Sequence, residues 1–445
     1  MKTKFLTAAL AIFCALLLTS CSKDDDSSSP EPINYDQVFS YTYQDQTLYY
    51  MVDPSGEAAV VAPLYADTTV AADRMWTGYN KPKGAVVIPD HVTFSGREFP
   101  VTKVEFCTFF GCTGITSVTL PSTMKTLADD SFLYCTKLAD ITLPSSIDSI
   151  GEFCFAIDTS LVSITMPQNL KSMGICVFDS CINLKECTIP SNVKELGIGT
   201  FSCCYSLTSV KLPQGLTSIG YGAFWDCFNL QSVNLPEGLT IIDDCAFRCN
   251  YSLTGITLPS TLTKIGSWAF QYDEKIGPDI IVPEGVTSIG ECAFGDCYSL
   301  EHISLPSTLE YLGEYALAVC VKLTEVVLPD GLTHIDEGLL TECEALTSVK
   351  LPAQLTTIGR WAFDCCPSLK ELTLPATVTE MADSVISNCP ALERLIVEST
   401  VPPTVTELTF VDENLSIPVI VPNGAAQAYR RHDIWGRFTS ITEKE

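Results

Sequence analysis

The sequence predicts a repeat solenoid, a fold in which successive coils of similar sequence stack on one another. The first observation is a 23-residue period that gives thirteen copies from residue 89 to about residue 397. The second is that apolar residues recur at fixed places in each copy. A unit this short cannot bury its apolar face alone, so the copies must share one core. The period is marked by Pro89, Pro121, Pro144, Pro167, Pro190, Pro213, Pro236, Pro259, Pro283, Pro306, Pro329, Pro352 and Pro375.

Residues 213–235 show the elements expected in each copy. The stretch LQSVNL, residues 230–235, alternates apolar and polar side chains, which is typical of a half-buried strand. Stacked copies of it predict a parallel β-sheet, and the proline that follows should end each strand because it has no N–H to donate. LTSIG, residues 216–220, predicts a shorter second strand. AFWDC, residues 223–227, predicts a 3₁₀ or single helical turn that places Phe224 in the core.

The repeated pattern LxxVxLPxxLxxIGxxAFxxC resembles the BspA-like bacterial surface leucine-rich repeat lipoprotein family. The resemblance covers residue 89 to about residue 397. It implies a right-handed leucine-rich-repeat superhelix with a parallel β-sheet, short second strands and 3₁₀ or helical turns, capped at both ends. It also implies a bacterial cell-surface protein that binds host proteins or other cells. The period itself indicates only an elongated, regular surface and identifies no ligand.

The first twenty residues predict a secretory signal peptide. Lys2 and Lys4 precede an apolar run over residues 5–18, which is too short to span a membrane as a helix. The LTSC that ends at Cys21 resembles a bacterial lipoprotein box, and this resemblance implies that Cys21 is the lipidated first residue of the mature protein. The alternative is an ordinary signal peptide followed by a chance cysteine.

Residues 21–32 predict a disordered acidic tether. Residues 22–32 contain no apolar side chain that could offset the entropy lost on ordering. Asp24, Asp25 and Asp26 resemble the acidic signal that sends some Gram-negative lipoproteins to the outer face of the outer membrane. The prediction is an outer-membrane, lipid-anchored protein facing the cell exterior; the alternative is a plain solvated linker.

Both ends of the solenoid are expected to carry caps, since an uncapped coil would expose its core. Residues 33–86 lack the 23-residue phase, but the alternating, tyrosine-rich stretch 39–52 predicts one or two strands of a β-rich N-terminal cap. The solenoid is placed at residues 87–397, with a hairpin inserted into its first coil around Ser95 and Gly96. Residues 398–445 predict a C-terminal cap, in which Tyr429 and Trp435 belong to the core.

Composition excludes one class of partner. The chain has 53 acidic against 26 basic residues, a formal net charge of −27, so no nucleic acid is expected to bind. The expected partners are a host or neighbouring-cell protein or glycan and, through the lipid anchor, a membrane.

The 21 cysteines favour a structural ladder over a disulfide scaffold. Position +14 of most copies, counted from the proline, holds cysteine, while Asp158, Asn250 and Asp273 replace it in three copies. A column that accepts these three residue types needs a small side chain with modest hydrogen-bonding ability. The prediction is mostly thiols, although neighbouring coils are close enough for disulfides. No metal site is expected, because the four histidines lie in separate copies and no CxxC occurs.

Catalysis and cofactors are not expected. The sequence contains no GxSxG, HExxH, phosphate-loop or dinucleotide motif. Paired acids such as Asp243 and Asp244 precede a core phenylalanine and are more simply explained as a solvated edge.

The candidate ligand-binding residues form a row of aromatic side chains at position +15: Tyr205, Phe228, Tyr251 and Tyr298. Such a row could stack on sugar rings or anchor a protein. The alternative is that the rings stack on one another and shield the turn.

These observations predict a surface-anchored, non-catalytic adhesin or scaffold for a host protein or for cell–cell contact. Two alternatives stay open. One is a glycan-capturing accessory lipoprotein of a nutrient-uptake system, and the other is a structural envelope protein.

Overall fold

The computed structural model describes residues 38–411 and 415–444. The predicted signal peptide, Cys21 and the acidic tether lie outside these residues. The chain divides into two compact units, Met1–Val177 and Phe178–Glu445. In both units the described residues form coils of parallel β-solenoid, which confirms the predicted fold class.

The first unit contains eleven described strands and one 3₁₀ turn, Ala72–Arg74. The strands are β1 Phe39–Tyr43, β2 Gln46–Val52, β3 Ala58–Val61, β4 Lys83–Val87, β5 His91–Phe94, β6 Arg97–Val104, β7 Gly114–Thr119, β8 Thr126–Leu127, β9 Asp140–Thr142, β10 Ser149–Ile150 and β11 Ser172–Met173.

This unit begins with antiparallel strands and then becomes parallel. β1, β2 and β3 pair antiparallel, and β3 then pairs parallel with β6. β5 and β6 form the hairpin that the sequence predicts around Ser95 and Gly96, and both of these residues have left-handed backbone. β6, β8, β10 and β11 continue as one parallel ladder, and β4, β7 and β9 form another.

The second unit contains 22 described strands, helix α1 Ala426–Arg431 and a 3₁₀ turn Trp435–Arg437. The strands are β12 Glu186–Thr188, β13 Glu195–Leu196, β14 Ser209–Lys211, β15 Ser218–Ile219, β16 Ser232–Val233, β17 Ile241–Ile242, β18 Lys264–Ile265, β19 Asp279–Ile281, β20 Ser288–Ile289, β21 His302–Ser304, β22 Tyr311–Leu312, β23 Glu325–Val327, β24 His334–Ile335, β25 Ser348–Lys350, β26 Thr357–Ile358, β27 Phe363–Asp364, β28 Glu371–Leu374, β29 Glu380–Met381, β30 Ile386–Ser387, β31 Arg394–Val397, β32 Pro418–Val421 and β33 Ser440–Glu443.

Each regular coil contributes a strand to two parallel ladders. We call the strand that precedes the next proline strand A, as in β14, and the strand at positions +5 and +6 strand B, as in β15. Strand A pairs in register with its copy one coil on, for example Val210 with Val233, and strand B does the same, for example Ile219 with Ile242. These four side chains are buried, because alternate residues of a strand point to opposite faces.

The turn between strand B and the next strand A is held by backbone hydrogen bonds between coils. The N–H groups of Cys245, Phe247 and Cys249 each donate over 2.8 Å to a carbonyl of the following coil. Positions +9 and +13 have left-handed backbone in several coils. At position +9, φ is 50–58° at Cys245, Trp268, Cys292 and Trp361. At position +13, φ is 53–65° at Cys203, Asp226, Cys249 and Cys365. The predicted helical turn is therefore made of separate i,i+3 turns, because left-handed residues stop a helix from propagating.

The core is organised around position +11. In the second unit the rings of Phe178, Phe201, Phe224, Phe247 and Phe270 stack at centroid distances of 5.1–5.5 Å. All five side chains are fully buried. Their regular stacking explains why one phenylalanine per coil is compatible with a coil spacing of about 5 Å.

The C-terminal residues fold over the last strands of the second unit. β32 and β33 continue the parallel ladder of β28 and β31. Trp435 is completely buried and donates its indole N–H to the carbonyl of Pro403 over 2.9 Å. Tyr429 is also buried, as the sequence predicts, and its hydroxyl donates to the carbonyl of Ser399 over 2.8 Å.

Candidate functional site

The cysteines form a structural column. The nineteen cysteines that the structure describes are thiols, and none of them forms a disulfide. At position +14 the thiol donates to the carbonyl of position +11 in the preceding coil: Cys227 to Phe201 over 3.1 Å and Cys343 to Leu317 over 3.2 Å. Burial raises the pKa of Cys227 well above its usual value, so this thiol is a poor nucleophile.

Two acids replace cysteine in this column. Asp158 and Asp273 are completely buried, and each accepts a backbone N–H of the preceding coil over 2.7 Å. The second oxygen of each carboxyl has no partner among the described residues. Burial raises the pKa of both acids well above the usual range and so favours their protonated form. No group of three or more His, Cys, Asp or Glu in the described part of the chain could hold a metal ion.

The structure brings three of the four predicted aromatic residues into contact. Tyr205 and Phe228 are parallel with ring centroids 4.8 Å apart, and Phe228 and Tyr251 lie 5.2 Å apart at 31°. Glu274 occupies the same position in the next coil and separates Tyr251 from Tyr298. All four aromatic side chains are half-buried.

The stacking limits what this row could bind. Both faces of Phe228 lie against its neighbours, so a ligand could reach the ring edges or the outer ends of the row. The hydroxyl of Tyr298 donates to Asp296 over 3.4 Å. Burial raises the pKa of Tyr298 to about 12, with the Asp296 carboxylate adding to the shift. The row offers apolar edges with neutral hydroxyls.

The outward face of strand A carries two unusually exposed aliphatic side chains. Ile281 in β19 is 71% exposed and Val327 in β23 is 57% exposed. In the strand register Ser304 of β21 lies between Ile281 and Val327, and its small side chain leaves a gap between these two residues. On the neighbouring outward column, Asp279 pairs in register with His302, and His302 with Glu325. We call this eight-residue surface the 279–350 face; it consists of Asp279, Ile281, His302, Ser304, Glu325, Val327, Ser348 and Lys350.

A second feature is a groove along strand B that sequence reasoning missed. It has a volume of about 540 Å³. We call it the 334–380 groove, and its lining includes His334, Asp336, Thr357, Gly359, Arg360 and Glu380. The signal in the sequence is at position +7, where Asp336 and Ala382 replace the usual glycine in the first and third copies and Gly359 keeps it in the second.

No helix in the described residues is long and apolar enough to cross a membrane.

A parallel ladder, inward apolar columns and a proline-terminated strand in each coil define a solenoid of the leucine-rich-repeat class. The profile of the BspA-type leucine-rich repeat region matches residues 91–204, 176–277 and 273–393, and the chain belongs to this family.

Two solved structures are similar over most of their length. A leucine-rich repeat protein from Bacteroides ovatus is 27% identical, with 91% of this chain and 100% of that chain covered and a TM-score of 0.70. A leucine-rich cell surface protein from Faecalibacterium prausnitzii is 25% identical, with 84% and 96% covered and a TM-score of 0.55. No match was found among curated proteins. The family and the fold of this chain are those of surface or binding proteins, and proteins of this kind typically have no catalytic activity.

Proposed function

We propose that this protein is a non-catalytic adhesin or scaffold that binds a protein of a host or neighbouring cell through the 279–350 face. The observation that carries the proposal is the exposure of Ile281 and Val327 on an otherwise polar strand surface. Burying one such side chain against a partner contributes about 1.5–3 kcal/mol. The pair therefore provides the apolar centre that a protein interface needs.

Charge favours a particular kind of partner. Asp279 and Glu325 are exposed beside the two aliphatic side chains, and the whole chain carries a formal charge of −27. A partner with a protruding apolar side chain surrounded by basic residues would complement this face. The rate at which such a partner associates would fall as salt screens the electrostatic attraction. The F. prausnitzii cell surface protein supports a location outside the cell.

The location rests on Cys21, which we place at a lipid anchor in the outer membrane. Replacement of Cys21 by serine should release the protein from the membrane fraction, because serine cannot form the thioether to the lipid. The measurement is fractionation of cells that express Cys21→Ser or the unchanged chain. A Cys21→Ser protein that stays in the membrane fraction would contradict lipidation, and protection of the unchanged protein from added protease on intact cells would contradict exposure.

Binding itself is tested with the double variant Ile281→Ser and Val327→Ser in the full chain carrying Cys21→Ser. We expect it to lose at least tenfold in affinity for a partner found by screening immobilised host matrix proteins, since two apolar anchors are removed. Surface plasmon resonance at two salt concentrations measures the affinity and its salt dependence.

The matched control is Ile241→Ser, which removes an exposed isoleucine from strand B and should leave the affinity unchanged. A further variant, with alanine at Tyr205, Phe228 and Tyr251, reports on the aromatic row. Loss of binding only in that variant would move the site to the row. Absence of any partner in the screen would favour a structural role in the envelope.

A further inference from the structure

We infer that the 334–380 groove is a binding site for one or two units of a neutral sugar chain, separate from the 279–350 face. Three successive coils build it: His334 and Asp336 come from the first, Thr357 and Gly359 from the second, and Glu380 from the third. The inference rests on the shape of the groove, on the fixed polar groups that line it and on its charge.

The concave shape is a consequence of small residues in the middle coil. A side chain on Gly359 would begin 2.8 Å from the carbonyl carbon of Asp336, so the backbone approaches too closely for any other residue without a shift. The middle coil also contributes Thr357, whose side chain is short, Ile358, whose side chain is buried, and Arg360. His334 and Glu380 flank Thr357 in the register, which makes them the two walls.

The polar groups are held in place by neighbours that are not part of the groove. Nη2 of Arg360 lies 3.3 Å from Oδ2 of Asp383, and its guanidinium carbon lies 5.3 Å from the ring centre of Trp361. Nδ1 of His334 is hydrogen-bonded to the hydroxyl of Thr333 over 2.8 Å, which leaves Nε2 as the remaining polar atom of the ring. Groups fixed in advance lose less entropy on binding.

The combination of donors and acceptors matches the hydroxyl groups of a sugar. Arg360 can donate, Glu380 and Asp336 can accept, and the imidazole of His334 can do either through its outer nitrogen. Each sugar hydroxyl is itself both a donor and an acceptor, so it can bridge such groups. The carboxylates outnumber the one guanidinium, which disfavours acidic sugars, phosphate and sulfate.

The test fills the groove without disturbing the strand. Position +5 already carries Tyr311, 48% exposed, in another coil, so Thr357→Tyr should fold normally. Isothermal titration of the full chain carrying Cys21→Ser uses neutral oligosaccharides of glucose, galactose, mannose and N-acetylglucosamine as probes. We expect at least one to bind and Thr357→Tyr to abolish its binding. Glu380→Gln should weaken it about tenfold or more, the value for a lost hydrogen bond to a charged group.

Ser218→Tyr is the matched control, because it places the same ring at the same position of a distant coil and should bind as the unchanged chain does. Binding retained in Thr357→Tyr, binding only to sialylated or sulfated oligosaccharides, or no binding to any neutral oligosaccharide would each overturn the inference. None of these outcomes depends on the 279–350 face, so the two proposals can fail separately.

Discussion

Replacement of Phe224 by alanine is expected to lower the free energy of unfolding by about 3–5 kcal/mol, the usual cost of removing a buried phenylalanine side chain. The ring of Phe224 is fully buried, and its centroid lies 5.5 Å from that of Phe201 and 5.1 Å from that of Phe247. The cavity would open between coils that the backbone hydrogen bonds hold at a fixed spacing, so little collapse could fill it. Urea unfolding followed by circular dichroism measures the change.

Two further variants serve as comparisons for the stability loss in Phe224→Ala. Phe224→Leu should cost much less, because Leu317 and Leu340 already occupy position +11 in later coils and are fully buried there. Phe228→Ala makes the same change as Phe224→Ala in a half-buried ring of the aromatic row and should also cost less. If Phe224→Ala unfolds at the same urea concentration as Phe228→Ala, the stacked phenylalanines are not the main support of the core.

Replacement of Asp273 by asparagine is expected to stabilise the protein at neutral pH by about 1.4 kcal/mol for each unit by which folding raises the pKa of Asp273 between its unfolded value and the working pH, because folding then no longer requires the uptake of a proton. Burial raises the folded-state pKa of Asp273 well above its ordinary value. Between the unfolded and the folded pKa the native state holds a proton that the unfolded state has lost. The contribution of Asp273 to the stability of the protein is therefore fully present below about pH 4, and it is lost as the pH rises toward the folded-state pKa. Asparagine keeps the accepting oxygen and does not ionise.

The pH dependence is the decisive measurement for Asp273. Thermal unfolding of Asp273→Asn and the unchanged chain should differ at pH 7.5 and converge near pH 4, where the acid is protonated in both states. Asn250 fills the same column one coil earlier, so the substitution introduces a residue that this position accepts. A variant that is less stable than the unchanged chain at pH 7.5 but equal to it near pH 4 would show that Asp273 is stabilised as a carboxylate and would contradict the prediction.

Much of the coil could be predicted from the sequence because the period repeats the same evidence in every copy. The alternation in residues 230–235 and the apolar column at Ile219 and Ile242 are sufficient to place strands A and B. The left-handed residues at positions +9 and +13 could not be predicted. Residues as different as Trp268 and Cys292 occupy position +9, because hydrogen bonds between coils impose the backbone there regardless of the side chain.

The candidate sites were harder to predict for a related reason. The aromatic row is a repeated feature, so its residues could be found from the period, but the mutual stacking of Tyr205 and Phe228 depends on the coil spacing. The 334–380 groove arises where Asp336 and Ala382 replace the usual glycine of position +7 on either side of a copy that keeps it, Gly359. Its residues are 23 apart in the sequence, and only the register brings His334, Thr357 and Glu380 side by side.

The hydrogen bonds between the turns also bear on how such a chain changes in evolution. Cys245, Phe247 and Cys249 donate to the next coil through the backbone alone, and Phe224 and Asp226 donate to Ala246 and Arg248 in the same way. Every coil thus presents acceptors to the coil before it and donors to the coil after it. Loss or duplication of one 23-residue segment in the gene would bring matching groups together again, so the family can lengthen or shorten by whole repeats without a new core.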